Sequence, residues 1–200
     1  LERITHDPML AQVQQWAAIN SGSGNLAGLK ATADLLADAF AVLPGNIELR
    51  EPAPVEKVRA DGVIEIVEHG RHLVVTVRPE ASVQLLFTGH MDTVFPVDHS
   101  FQDQRWLEDG VLNGPGVADM KAGLVMNAFV LAAFAKLGGH PAPIAMLVTS
   151  DEEIASPSSR PVIEAEARGA RVVFNSEPSQ APHKITSGRK GGVFMEMAVT

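Results

Sequence analysis

Between Pro8 and Ile19, Leu10, Val13, Trp16 and Ala17 recur at helical spacing, and the pattern stops at Asn20-Ser21-Gly22-Ser23-Gly24. This predicts a helix followed by a polar turn. A second helix is predicted from Asn25, which suits an N-cap, with Leu26, Leu29, Ala33, Leu36, Ala37 and Phe40 on one face and Pro44-Gly45 ending it. Each has a single apolar face, as helices that cover a sheet do. Residues 47–59, with Pro52 and Pro54, read as extended. Val63-Ile64-Glu65-Ile66-Val67 and Leu73-Val74-Val75-Thr76-Val77 then flank Glu68-His69-Gly70-Arg71-His72. That is a hairpin pattern, with Gly70 in the turn and His69 and His72 at a solvated tip.

Three later runs are mostly apolar, as strands buried on both faces are: Val83, Leu85, Leu86 and Phe87; Ile144 to Thr149; and Arg171 to Phe174. Between the first two, Val117 to Leu137 reads as a nearly continuous apolar helix, stopped by Gly138-Gly139, with Asp119 at its start and Met126 and Phe129 in its core face. A shorter helix, Pro161 to Arg168, separates the second and third strands. Strand, helix, strand, helix, strand implies parallel pairing with right-handed crossovers. The expected fold is therefore α/β, a mostly parallel mixed sheet flanked by helices. After Ile185-Thr186-Ser187-Gly188-Arg189-Lys190-Gly191-Gly192, the alternating run Val193 to Val199 reads as a strand with no partner. The expected division is one domain over residues 1–184 and the beginning of a second over 185–200.

The apolar strands end in polar residues able to carry chemistry. The first runs into Thr88-Gly89-His90-Met91-Asp92-Thr93-Val94, the second into Ser150-Asp151-Glu152-Glu153, the third into Asn175-Ser176-Glu177-Pro178, and the loop Asn113 to Gly123 contributes Asp119. Open α/β sheets bind ligands at such strand ends. Gathered in one cleft, these carboxylates would repel one another and raise their pKa values, and one or two divalent cations would resolve the conflict. In an extended strand end, adjacent side chains point to opposite sides, so one of Glu152 and Glu153 can ligate metal while the other reaches a water. Lys121, in the first turn of the apolar helix, reads as solvated.

Composition narrows the choice. Hydrophobic residues make up 46% of the 200 positions, enough for a core, and the net charge is −8 with the cations scattered. That balance argues against nucleic acid and anionic membranes as partners. No apolar run approaches the ~20 residues of a bilayer span, so a soluble protein is expected. The absence of cysteine removes thiolate ligands, so imidazole with carboxylate oxygens points to zinc, with cobalt or manganese as substitutes. Cytoplasm and periplasm both remain open.

Four blocks together resemble the zinc-dependent exopeptidase and deacylase family that includes aminoacylase, acetylornithine deacetylase, succinyl-diaminopimelate desuccinylase and the glutamate-releasing carboxypeptidase G. They are Gly89 to Val94, Gly114 to Gly123, Ser150 to Glu153 and Ser176 to Pro178, in the family's order and approximate spacing. The resemblance implies a two-zinc site. His90 and Glu177 would bind one metal, Glu153 the other, and Asp119 would bridge them. Asp92 would orient His90, and Glu152 would be the catalytic base and acid. It also implies a cis peptide at Asp119-Met120, with Gly114-Pro115-Gly116 allowing a close approach. A further histidine ligand lies beyond position 200 in the family, and none of His6, His99, His140 or His183 sits in a matching motif.

The implied activity is metal-dependent hydrolysis of an amide beside a free carboxylate, in a small peptide or an N-acyl amino acid. Ser150 to Ile154 and Asn175 to Ser179 look nearest to the carboxypeptidase G type. The resemblance also implies that residues 1–184 are a metallohydrolase catalytic domain and that 185–200 begin a smaller α+β lid or dimerisation domain, through which a homodimer would form. The alternatives are a noncatalytic metal-binding or assembly module, which would not need both Glu152 and Glu153, and an inactive part of such an enzyme.

Overall fold

The computed structural model describes residues 8–77, 84–108, 110–136, 144–179, 184–188 and 191–192. Helices α1 (Pro8–Ala17) and α2 (Leu26–Phe40) follow the predicted periodicity. The Asn25 side chain accepts the Gly28 N–H at 3.2 Å and caps α2. Its core stripe is Leu29, Ala33, Leu36 and Phe40, while Leu26 stays at the exposed first position.

Strands β1 (Asn46–Arg50), β4 (His72–Val77), β5 (Gln84–His90), β8 (Ile144–Thr149) and β9 (Ala170–Asn175) form a mixed sheet in the order β1-β4-β8-β5-β9. β1, β4 and β8 pair antiparallel, whereas β5 pairs parallel with both β8 and β9. Every residue of β8 is buried, as a strand covered on both faces must be. One face presents Leu73, Val75, Ile144, Met146 and Val148 to Trp16, Leu29, Leu36, Phe40 and Leu124. The other presents Val74, Leu86, Ala145 and Leu147 to Val162, Ile163 and Ala167 of helix α4 (Arg160–Ala167). Fully burying one such aliphatic side chain contributes about 1.5–3 kcal/mol.

Several expectations need correction. β3 (Ile64–Val67) pairs with β2 (Val55–Val58) and not with β4, so the anticipated hairpin does not form. β4 is drawn away because its apolar side chains gain far more burial between β1 and β8. His72 thereby enters the sheet and is 1% exposed rather than solvated. A ribbon of β6 (Arg105–Glu108) and β7 (Val111–Asn113), absent from the expected elements, precedes the glycine-rich loop. β9 takes its predicted place, yet Val172, Val173 and Phe174 are 40%, 51% and 47% exposed.

The long apolar segment is also broken. Val117–Lys121 is an irregular turn in which Asp119 (φ −115°, ψ 97°) and Met120 (φ −129°, ψ 34°) leave helical geometry, and helix α3 proper is Ala122–Lys136. By length and hydropathy alone Val117–Lys136 would pass for a membrane span, contrary to the sequence expectation. It is instead the central packing helix, burying Gly123, Leu124, Val125, Asn127, Ala128 and Leu131. Met126 points outward at 49% exposure, and Phe129 packs half-buried against the core. The expected strand at 193–199, and with it the start of a lid domain, lies outside the described residues.

Candidate metal centre

His90 is the last residue of β5, in register with Thr149 of β8, and is 1% exposed. Its Nδ1 lies 3.0 Å from the Asp92 carbonyl oxygen and 3.2 Å from Asp92 Oδ1. Facing acceptors only, Nδ1 carries a proton in either charge state of the ring, and a cation held in the cleft would displace the proton on Nε2 and take up its lone pair. Nε2 is 3.0 Å from Asp119 Oδ1, 3.3 Å from Glu177 Oε1 and 3.9 Å from Glu152 Oε2.

Three devices bring these groups together. Gly116 takes φ +69°, and the Lys121 N–H closes the turn onto its carbonyl at 3.0 Å, with the Asp119-Met120 peptide cis. Lys121 itself is 1% exposed, against the solvated reading. Its Nζ donates to the carbonyls of Trp16 (3.1 Å) and Ile19 (2.8 Å), in the last turn of α1 and just beyond it. Burial lowers its pKa to about 8. Gly123 passes so near β9 that a Cβ there would sit 2.1 Å from the Ser176 carbonyl oxygen. The Ser176 hydroxyl then donates to Asn127 Oδ1 at 2.7 Å, which anchors the segment carrying Glu177.

Glu152 and Glu153 do not lie on an extended strand end as expected. Glu152–Ile154 is one tight 3₁₀ turn. The Asp92 carboxylate draws it in, accepting the Glu152 N–H at 3.2 Å and the Glu153 N–H at 3.1 Å. Glu152 lines a cleft of about 850 Å³ with Asp119, Glu177 and Ser176, whereas Glu153 lines a separate hollow of about 480 Å³ with Ser23, Asn25, Thr93 and Val97. Behind the turn, Asp151 Oδ2 accepts from Ser158 N (2.7 Å), Ser158 Oγ (2.7 Å) and Ser159 N (3.1 Å). Burial pushes the Asp151 pKa up, but these bonds outweigh it and hold the carboxyl below its ordinary value.

Charge accumulates as the sequence suggested. Burial would lower the His90 pKa, but hydrogen bonds with Asp92 and Glu177 prevail and raise it to about 11. Desolvation and then the Glu177 charge raise Asp119. Desolvation raises Glu152 as well, and takes Glu153 to about 7 against the pull of His90. One buried imidazole faced by several carboxylates is a cation-seeking arrangement.

Ligand atoms of His90, Asp119 and Glu177 lie within 4.8 Å of one another, and one nitrogen with carboxylate oxygens and no sulfur is a donor set suited to zinc. Of the residues expected to hold metal, Glu153 falls outside this group. His99 is elsewhere, with its ring 5.1 Å from that of Phe95 and its Nδ1 accepting the Phe101 N–H. His6, His140 and His183 lie outside the described residues. Sequence reasoning missed Ser23 and Asn127. Ser23 read as part of a polar turn and Asn127 as part of an apolar run, and a lone polar residue on a buried helix was the available signal.

A family model described as "Peptidase family M20/M25/M40" matches residues 86–190, more than half of the 200-residue chain. Carboxypeptidase G2 of Pseudomonas sp. (strain RS-16) is 25% identical over 195 residues, spanning 96% of this chain and 44% of the relative. A succinyl-diaminopimelate desuccinylase of Thioalkalivibrio sulfidiphilus is 38% identical over 125 residues, spanning 54% of this chain and 32% of the relative. Among solved structures, human carnosine dipeptidase 1 superposes with TM-score 0.68 at 19% identity, covering 84% of this chain and 38% of the other. The metallo-carboxypeptidase Sso-CP2 of Sulfolobus solfataricus gives 0.63 at 18% identity, with 85% and 37% covered. The chain thus spans less than half the length of these relatives.

Proposed function

The chain belongs to peptidase family M20/M25/M40, and from that premise we propose that it forms the metal-binding part of a zinc-dependent hydrolase that cleaves an amide beside a free carboxylate. The observation that carries this reading is the Nε2 atom of His90, buried and aimed at the carboxylates of Asp119 and Glu177 at 3.0 and 3.3 Å, with Glu152 at 3.9 Å. His90, Asp119 and Glu177 would hold one zinc ion, and Glu153 together with Asp119 would hold a second. Cobalt or manganese would suit the same donors. The catalytic domain is assigned to residues 1–184, with the crossover to a further domain at 185–200. Relatives named as a carboxypeptidase and a desuccinylase keep both C-terminal residue release and N-acyl removal as candidate reactions.

When bound, zinc supplies Lewis acidity, favouring deprotonation of water near neutral pH and polarisation of the scissile carbonyl. The remaining work falls to side chains. Glu152, 51% exposed on the cleft side, takes the proton of the attacking water and returns it to the departing amine. Asp92 keeps the proton of His90 on Nδ1, so Nε2 stays available as a ligand atom. Asp151, tied to Ser158 and Ser159, braces the backbone that carries Glu152 and Glu153.

The test is zinc per chain in protein purified without chelators, with His90→Ala as control, beside hydrolysis of N-acyl amino acids and C-terminal glutamyl peptides. Zinc that is bound by the parent and lost in His90→Ala supports the reading. Equal zinc in both would sink it.

A further inference from the structure

The turn Asn20 to Asn25, between α1 and α2, lies outside residues 86–190 that match the family model. It is nevertheless fastened along the loop that follows His90. The Ser21 hydroxyl donates to the Met91 carbonyl at 2.7 Å, and the Thr93 N–H donates to the Ser21 carbonyl at 3.0 Å. The Ser23 N–H returns to the Thr93 carbonyl at 3.3 Å, and Asn20 Nδ2 donates to the Phe95 carbonyl at 3.0 Å. The fit leaves no slack: a Cβ on Gly22 would lie 2.5 Å from the Phe95 carbonyl oxygen. These bonds set the Ser23 hydroxyl 2.8 Å from Asp92 Oδ2, to which it donates.

That oxygen is also the acceptor for the Glu153 N–H at 3.1 Å, while Oδ1 takes the Glu152 N–H at 3.2 Å and lies 3.2 Å from His90 Nδ1. Asp92 is 1% exposed, so an oxygen that lost a donor would have little water to replace it. The carboxylate can turn about its final torsion only if it gives up one of these partners. Losing the Ser23 bond would free that rotation and disturb His90 and the Glu152-Glu153 turn together.

We infer that Ser23 is a positioning residue for the metal centre: its hydroxyl locks the Asp92 carboxylate in the one orientation that serves both the His90 imidazole and the Glu152-Glu153 turn. The N-terminal helical pair then belongs to the working site and is more than a cover for the sheet. The metal-affinity arm of the test rests on the function proposed above; the structural arm does not.

The experiment compares the parent chain with Ser23→Ala, Ser23→Thr and Ser23→Cys. Zinc affinity is measured by competition with a chromogenic chelator, and in metal-free protein the amide exchange of Glu152 and Glu153 and the ¹⁵N shifts of the His90 ring are recorded. Ser23→Ala is expected to weaken zinc binding roughly tenfold, the lower end for loss of a group that supports a metal ligand. It should also speed exchange at Glu152 and Glu153 and move the His90 ring signals, leaving β8 amides unchanged. Ser23→Thr, which keeps the hydroxyl, should restore all three readouts. Ser23→Cys, near in volume but a weak donor, should fall between, and it decides the matter if the alanine variant does not fold. Unchanged amides, ring shifts and affinity in the variants lacking the hydroxyl would overturn the inference, as would equal losses in Ser23→Thr. If the parent binds no zinc, the proposed function fails, and the metal-free signals still decide the role of Ser23.

Discussion

The Lys121 ammonium lies 2.8 Å from the Ile19 carbonyl oxygen, two residues past the carboxylate assigned to bridge the metals. Together with its bond to the Trp16 carbonyl at 3.1 Å, it ties the end of α1 to the turn that presents Asp119. Lys121→Met keeps the apolar stem and removes the donor. The expected cost is about 1–3 kcal/mol, because it takes the Lys121 donor from the part-buried Ile19 carbonyl and one of two donors from that of Trp16. Urea denaturation of the two proteins measures it, and equal midpoints and slopes would contradict the role.

Glu152 is assigned above to proton transfer, not to metal binding. Glu152→Gln is expected to bind zinc within a few-fold of the parent while hydrolysis by the complete protein falls by about 10²–10⁴. Paired metal analysis and turnover assays check both halves. Full turnover in the variant would remove Glu152 from the mechanism.

Gly123 carries no side chain because the Ser176 carbonyl occupies that space, 2.1 Å from a built Cβ. Gly123→Ala must push α3 away from the segment holding Glu177. The expected result is a loss of about 1–3 kcal/mol of stability, typical of overpacking, together with weaker zinc binding. Gly24→Ala, with no atom within 4 Å of a built Cβ, serves as the control and should show no clash effect.

His72 is buried between the Ser150 hydroxyl, 3.3 Å from Nδ1, and the Ser158 hydroxyl, 3.5 Å from Nε2. Burial lowers its pKa below 6.5, and the Asp151 charge only partly offsets this. A folded-state pKa below the unfolded value means that the unfolded chain binds the proton more readily. Its contribution is therefore complete above about pH 6.5 and declines as the pH falls below that value. The stability of the parent relative to His72→Gln should drop between pH 7 and pH 5, as read from urea midpoints. A pH-independent difference would refute it.

Much of the architecture was legible because hydrophobic periodicity is local. The helical spacing of Val13, Trp16 and Ala17 and the apolar run of β8 each follow from a few neighbouring residues, and the site residues stand where those runs end. Partner choice was less legible. Val63 to Val77 has the pattern of a hairpin, but β4 is apolar on both faces and finds deeper burial between β1 and β8 than β3 can provide. Lys121 and His72 were misread for a related reason: a polar side chain can be buried when distant groups supply its hydrogen bonds, and those groups are invisible along the chain.

The sequence by itself determined the α/β class, the ends of β5, β8 and β9 as the candidate site, the chemical character of His90, Asp119, Glu152, Glu153 and Glu177, and the family to which the chain belongs. Only the tertiary structure decided how these groups are held. Asp92 curls the Glu152-Glu153 turn, Ser23 reaches it from 69 positions away, and Asn127 secures Ser176 across 49 positions. Residue type and spacing specify what a side chain can do, but a hydrogen bond depends on distance and angle in space, and those are set by the packing of the whole sheet and its helices.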